Sequence, residues 1–157
     1  MKASELLKGL QYSVICGDED IEIKEIYNDS RKVGAQGLFF CIVGAKFDGH
    51  EYIKDVTVPG VLIVKVESTR YAMGIVSSNF YGNPSSKLTV IGITGTKGKT
   101  TTTYMIREML MSAGHKTGLI GTIEIMDGKE VIPANNTTPE SMIVHKKLKD
   151  MLDNGLD

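Results

Sequence analysis

Three things are scarce in this sequence, and each scarcity excludes a class of protein. The first is net charge: 18 Lys and Arg stand against 19 Asp and Glu, for a formal charge of -1. Nothing global therefore draws the chain to nucleic acid or to an anionic membrane, and any anion site has to be local. The second is long apolar runs. No stretch approaches the roughly 20 residues that a membrane span needs, and the opening MKASELLKGLQYSVICGDED has neither the apolar core nor the cleavage site of a signal peptide. The expectation is a cytoplasmic chain without a membrane partner. The third is cysteine. Cys16 and Cys41 are the only two, far apart and in no metal spacing, and His50, His115 and His145 are equally scattered. Buried free thiols are expected rather than a disulfide scaffold or a metal knuckle.

The balance of 41% hydrophobic and 24% charged residues is that of a globular protein. The first half alternates short apolar segments with turns. SELLKGL reads as a short helix capped by Ser4. IEIKEIYNDS alternates like a strand, with Ile21, Ile23 and Ile26 inward. LFFCIVG and VLIVKV read as buried strands, and STRYAMGIVSSNFYG as a helix capped by Ser68. YGNPSSK is a cluster of breakers, which places a domain boundary between residues 84 and 85.

Beyond it the pattern changes. LTVIGI is a continuous apolar run, as expected of a parallel strand buried on both faces. A helix follows from Lys99 to Ala113, with Met105, Ile106, Met109, Leu110 and Ala113 on one face and Gly114 ending it. KTGLIGT reads as the next parallel strand, and IEIMDGKEVI as a hairpin around Asp127-Gly128. A last helix is expected behind Thr138 as cap and Pro139 in its first turn, closing at Gly155. The fold class is thus α/β: a small mixed α/β N-terminal domain, residues 1–84, then the start of a phosphate-loop domain with a parallel sheet, residues 85–157.

Between the first of those strands and its helix lies TGTKGKTT. A strand that turns through glycines into a helix aims several backbone N–H groups, and the positive end of the helix dipole, at one point. Gly95 and Gly98 let the backbone approach a phosphate closely, Lys99 can place its ammonium on the outer phosphates, and the Thr100 hydroxyl can ligate Mg²⁺. The spacing departs from the Walker pattern: its first glycine would fall at Ile93, and Gly92 comes one residue early.

GITGTKGKTTTT resembles the Mur ligase superfamily. Two further stretches narrow the resemblance. Asp29-Ser30-Arg31, then Gly37-Leu38-Phe39, then Asp48-Gly49-His50 recur in the order seen in the N-terminal domains of the peptidoglycan amino-acid ligases, and Asn136-Thr137-Thr138-Pro139 is similar to the branch that adds lysine or diaminopimelate to a UDP-muramyl dipeptide. The resemblance implies an ATP-dependent ligase that works through an acyl phosphate with ATP and Mg²⁺. It implies that Gly95, Thr96, Lys97, Gly98, Lys99, Thr100 and Thr101 hold ATP, with Lys99 catalytic and Thr100 on the metal. It implies substrate contacts from Ser30, from Gly44, Ala45 and Lys46 near the uridine, and from Asn136, Thr137 and Thr138 on the muramyl-peptide side. Lys97 stands where the family usually has asparagine, and the chain is short between EYIKD and VLIVKV. The family continues past Asp157, so a fragment is expected: inactive alone, prone to self-association, from a monomeric parent. A binding module without catalysis and another ligase of the superfamily remain alternatives at this point.

Overall fold

The computed structural model describes residues 1–27, 30–39, 58, 60–134 and 136–157. It divides the chain into two compact units, Met1–Phe80 and Tyr81–Asp157, at the leading edge of the breaker cluster.

The first unit is built on a four-stranded sheet of order β1-β4-β3-β2, from β1 (Tyr12–Cys16), β2 (Glu25–Tyr27), β3 (Gly37–Phe39) and β4 (Leu62–Val66). β2, β3 and β4 run parallel, and β1 joins β4 antiparallel, so the sheet is mixed. Leu38 pairs with Leu62, and Phe39 with Ile63. Successive residues of a strand face opposite sides, and all four are buried, so β3 and β4 are covered on both faces. That explains their unbroken apolar sequence. Phe39, Ile63, Val33 and Val61 form one cluster, with Tyr27 and Val58 against it. The remaining core draws on Leu6 and Leu7 beside α1 (Ala3–Leu6), Ile23, Ile26, and Ala72, Met73 and Val76 of α2 (Thr69–Phe80).

Two expectations in this unit change. Ser4 does not cap α1: the N-cap is Lys2, without a side-chain bond, because the Lys2 carbonyl accepts from Glu5 and Leu6 while the Ala3 N–H is drawn to Ile21 O. The helix is instead closed by tertiary contact, the Asn79 amide of α2 donating to Leu6 O at 2.9 Å and Lys8 O at 3.1 Å. β1 escaped the sequence reading; as an edge strand, with every residue after Tyr12 exposed, it lacks the inward alternation that marks a half-buried strand. Ser68 does open α2: its carbonyl accepts from Ala72 and its hydroxyl from Tyr71.

The second unit holds α3 (Lys99–Ser112), β5 (Leu119–Ile120), β6 (Glu124–Met126), β7 (Val131–Pro133) and α4 (Ser141–Asp153). The class is α/β as expected, but the strand pairing differs. Residues 88–93 form no strand, and β5 pairs antiparallel with β6 in a three-stranded sheet β5-β6-β7. A strand buried on both faces needs a ladder partner, and none of these three offers it one. Val90 and Ile91 are accordingly 55% and 53% exposed.

The apolar face of α3 is only partly covered, with Ile106 and Leu110 half-buried. No residue of this helix is buried, and Met105 and Met109 are exposed. Its end is as read: Gly114 sits at φ 93° and the His115 N–H closes on Leu110 O. The apolar residues of α4 are covered within the unit: Leu148 and Met151 are buried with Ile125 and Leu156, and Val144 packs against them. Thr138 is not the cap of α4. Glu140 is, in an extended conformation, and the first helical bond runs from Val144 N–H to Glu140 O, which leaves Pro139 outside the helix.

Candidate functional site

The phosphate-loop residues come together as one exposed turn and the first turn of α3. Residues 94–98 are exposed, Lys99 and Thr100 half-buried, and Thr101 exposed. The helix begins at Gly98, whose φ of 79° lies in the left-handed region, with no side chain capping it. A left-handed N-cap suits glycine, and an uncapped helix start leaves the first N–H groups without an intrahelical acceptor. The ladder begins with Thr102 N–H donating to Gly98 O at 2.9 Å. The open donors and the helix dipole together favour an anion at this point.

Lys99 is held over its own loop: the ammonium donates to Gly95 O at 2.6 Å. The acceptor is a neutral carbonyl, which a phosphate oxygen would outcompete as a charged partner. Thr103 donates its hydroxyl to Lys99 O at 2.7 Å, tightening the first turn. One turn on, the Tyr104 phenol donates to the Glu124 carboxylate at 2.6 Å, which ties α3 to β6 and holds the phenol's pKa above its ordinary value. Thr100 offers a hydroxyl in this turn, and among the described residues no group of three His, Cys, Asp or Glu is placed to hold a metal.

Of the residues expected to meet substrate, Asn136, Thr137 and Thr138 lie exposed in the loop between β7 and α4. Freed from capping, the Thr138 hydroxyl is open to a ligand. Ser30 begins a 3-10 turn, Ser30–Lys32, between β2 and β3 in the chain. Gly44, Ala45 and Lys46, like Asp48-Gly49-His50, fall outside the described residues. A hollow of about 510 Å³ in the first unit is lined by Asp18, Glu19 and Asp20, a charge that repels a nucleotide sugar's phosphates.

A buried carboxylate in the β6–β7 turn was not singled out from the sequence. Asp127, 5% exposed, turns the β6–β7 connection: one carboxylate oxygen accepts from the Lys129 and Glu130 N–H groups at 3.1 and 2.9 Å. The other meets the Lys147 ammonium of α4 at 3.1 Å. Those backbone donors, led by Glu130, and Lys147 hold the carboxyl below its ordinary pKa against the opposing effect of burial. Asp-Gly signalled the turn, but nothing local signalled its partner twenty residues on.

Residues 22–85 match the profile described as Mur ligase family, catalytic domain, and residues 93–157 match the Mur ligase middle domain. A UDP-N-acetylmuramoyl-L-alanyl-D-glutamate--2,6-diaminopimelate ligase of Clostridium acetobutylicum is 46% identical over 172 aligned positions, covering 100% of this chain and 36% of the relative. The enzyme of that description from Clostridium tetani is 41% identical, again with 100% and 36% covered. The chain thus spans about a third of the length of these curated relatives. Both alignments exceed the chain's 157 residues, so each relative carries residues that this chain lacks. Among solved structures, the UDP-N-acetylmuramoylalanyl-D-glutamyl-2,6-diaminopimelate--D-alanyl-D-alanyl ligase of Acinetobacter baumannii shares the fold, with a TM-score of 0.54 at 23% identity over 95% of this chain and 33% of that one.

Proposed function

The chain belongs to the Mur ligase family, and from that premise we propose that it supplies the nucleotide-sugar and ATP-binding portions of a ligase joining 2,6-diaminopimelate to UDP-N-acetylmuramoyl-L-alanyl-D-glutamate. The observation that carries the reading is the start of α3: an uncapped helix at a left-handed Gly98, with Lys99 poised across the loop on a carbonyl that a phosphate can replace.

A carboxylate is a poor electrophile. In the proposed reaction the D-glutamate side-chain carboxylate attacks the γ-phosphorus of ATP, and ADP leaves. An amine of the diamino acid then attacks the acyl phosphate and expels inorganic phosphate, forming the amide. The chain's own residues position and neutralise. The N–H groups at the start of α3 and the Lys99 ammonium hold the outer phosphates, and Lys97 adds a second cation beside them. Thr100 is the candidate hydroxyl ligand for Mg²⁺, whose chemistry is to offset phosphate charge. Ser30 and Gly44, Ala45 and Lys46 are assigned to the UDP-sugar, and Asn136, Thr137 and Thr138 to the muramyl peptide. The setting is cytoplasmic, where ATP is available; among the described residues no helix is long and apolar enough to cross a membrane.

Calorimetric titration tests the two ligand assignments separately. Ser30→Ala should weaken binding of UDP-N-acetylmuramoyl-L-alanyl-D-glutamate by about 0.5–3 kcal/mol, the range for one lost hydrogen bond, with ATP affinity unaltered. A variant that binds the UDP-sugar as tightly as the parent returns Ser30 to a turn residue.

A further inference from the structure

We propose that Asp127 and Lys147 are a positioning pair for the substrate loop, fixing residues 136–138 by locking the opposite end of the strand–loop–helix unit that carries them. This rests on the assignment of those residues to the muramyl peptide.

The loop is the link between β7 and α4, and both of its arms are tied down at their far ends. β7 leaves the turn that Asp127 organises, and α4 is gripped two turns from its start by the same carboxylate through Lys147. The pair is shielded, with side-chain exposures of 7% and 16%. Asp150 supports Lys147 from below at 3.1 Å, so the ammonium bridges two carboxylates. Asn154, at the end of α4, donates to the Asp127 carbonyl at 2.8 Å. Gly128, at φ 92°, takes the left-handed conformation that this turn requires. Nearer the loop, Ala134 N–H closes the hairpin on Ile123 O. Apolar packing of Ile125 on Leu148 and Met151 holds the helix to the sheet but is tolerant of sliding. A buried ion pair is not, because displacement leaves charges unpaired, and register-setting is the best attested use of such pairs. The pair therefore specifies how far α4 advances along β7, and with it where Thr137 and Thr138 stand.

Four variants test this in the 157-residue chain: Asp127→Asn, which keeps an oxygen for the turn N–H groups but loses the charge; Lys147→Met; the two combined; and Lys147→Arg. Calorimetry with UDP-N-acetylmuramoyl-L-alanyl-D-glutamate and with ATP is paired with NMR amide exchange at residues 136–138 and 140. A small misplacement of binding groups is costly, so Asp127→Asn and Lys147→Met should each weaken UDP-sugar binding about tenfold. The double variant should lose no more than either single one, as for residues acting through one interaction. Lys147→Arg should restore binding, and ATP affinity should stay within about twofold of the parent's. UDP-sugar affinity unchanged, or lost in proportion to ATP affinity and melting temperature, overturns the proposal. If the unsubstituted chain binds no UDP-sugar, the substrate assignment falls instead. The exchange rates then decide the pair: loop amides that exchange faster in Asp127→Asn support it, and unchanged rates overturn it.

Discussion

At residue scale, Gly98 and Lys99 contribute separately to the start of α3. Gly98 supplies a backbone conformation, at φ 79° with nothing within 4 Å of an added Cβ, and Lys99 supplies a charge. Gly98→Ala should therefore cost stability through the backbone alone, about 1–2 kcal/mol for a left-handed L-residue, and should impair phosphate binding as well. Lys99→Ala should leave the urea midpoint unchanged while ATP affinity falls. A Lys99→Ala chain with the parent's ATP affinity would remove the phosphate assignment. Asp127 makes the pH prediction. Its folded pKa is depressed, so the stability it contributes is present above the unfolded carboxylate value, near 3.9, and is lost as pH falls through the lower folded value. Thermal melts should show Asp127→Asn well below the parent at pH 7, with the gap closing below about pH 4. A gap that stays constant into acid would assign the loss to packing rather than to the carboxylate.

At the scale of elements, α3 and α4 show what sequence could and could not tell. Both helices were legible from apolar spacing and from the glycines at 114 and 155, which adopt positive φ just past the helix ends. Which face would be covered was not legible, because periodicity states what a helix offers and not what meets it. Leu148 of α4 is 9% exposed and Met109, on the apolar face of α3, is 69% exposed. The strand at residues 88–93 was misread for the same reason: an apolar run does not name its ladder partner. Leu148→Ala should destabilise the second unit by about 2–5 kcal/mol, and Met109→Ala should stay within about 0.5 kcal/mol, both by urea unfolding. Equal losses would mean that α3 is packed as tightly as α4. The turn and helix start at Gly98 and Lys99 were legible, since their glycine and lysine signals are contiguous in sequence. The Asp127–Lys147 pair was not, since it depends on two residues twenty apart meeting across the fold.

The whole molecule comprises two units for which different tasks are proposed, the nucleotide sugar for one and ATP for the other. The chain spans 36% of the length of the Clostridium acetobutylicum ligase, and no cluster of metal-binding side chains occurs among the described residues. By itself, with ATP, Mg²⁺, UDP-N-acetylmuramoyl-L-alanyl-D-glutamate and diaminopimelate, the chain is predicted to form no UDP-muramyl-tripeptide above its Lys99→Ala variant. Product above that control would show the described site to be sufficient. The most direct measurement restores the missing length: a chimera in which this chain replaces the matching portion of the Clostridium acetobutylicum ligase, assayed for UDP-muramyl-tripeptide with diaminopimelate and with lysine. The account predicts ATP-dependent product with diaminopimelate, reduced at least about 100-fold by Lys99→Ala, as for loss of a key group stabilising developing charge. A chimera that melts cooperatively but forms no product, or one whose Lys99→Ala variant turns over unchanged, would contradict it.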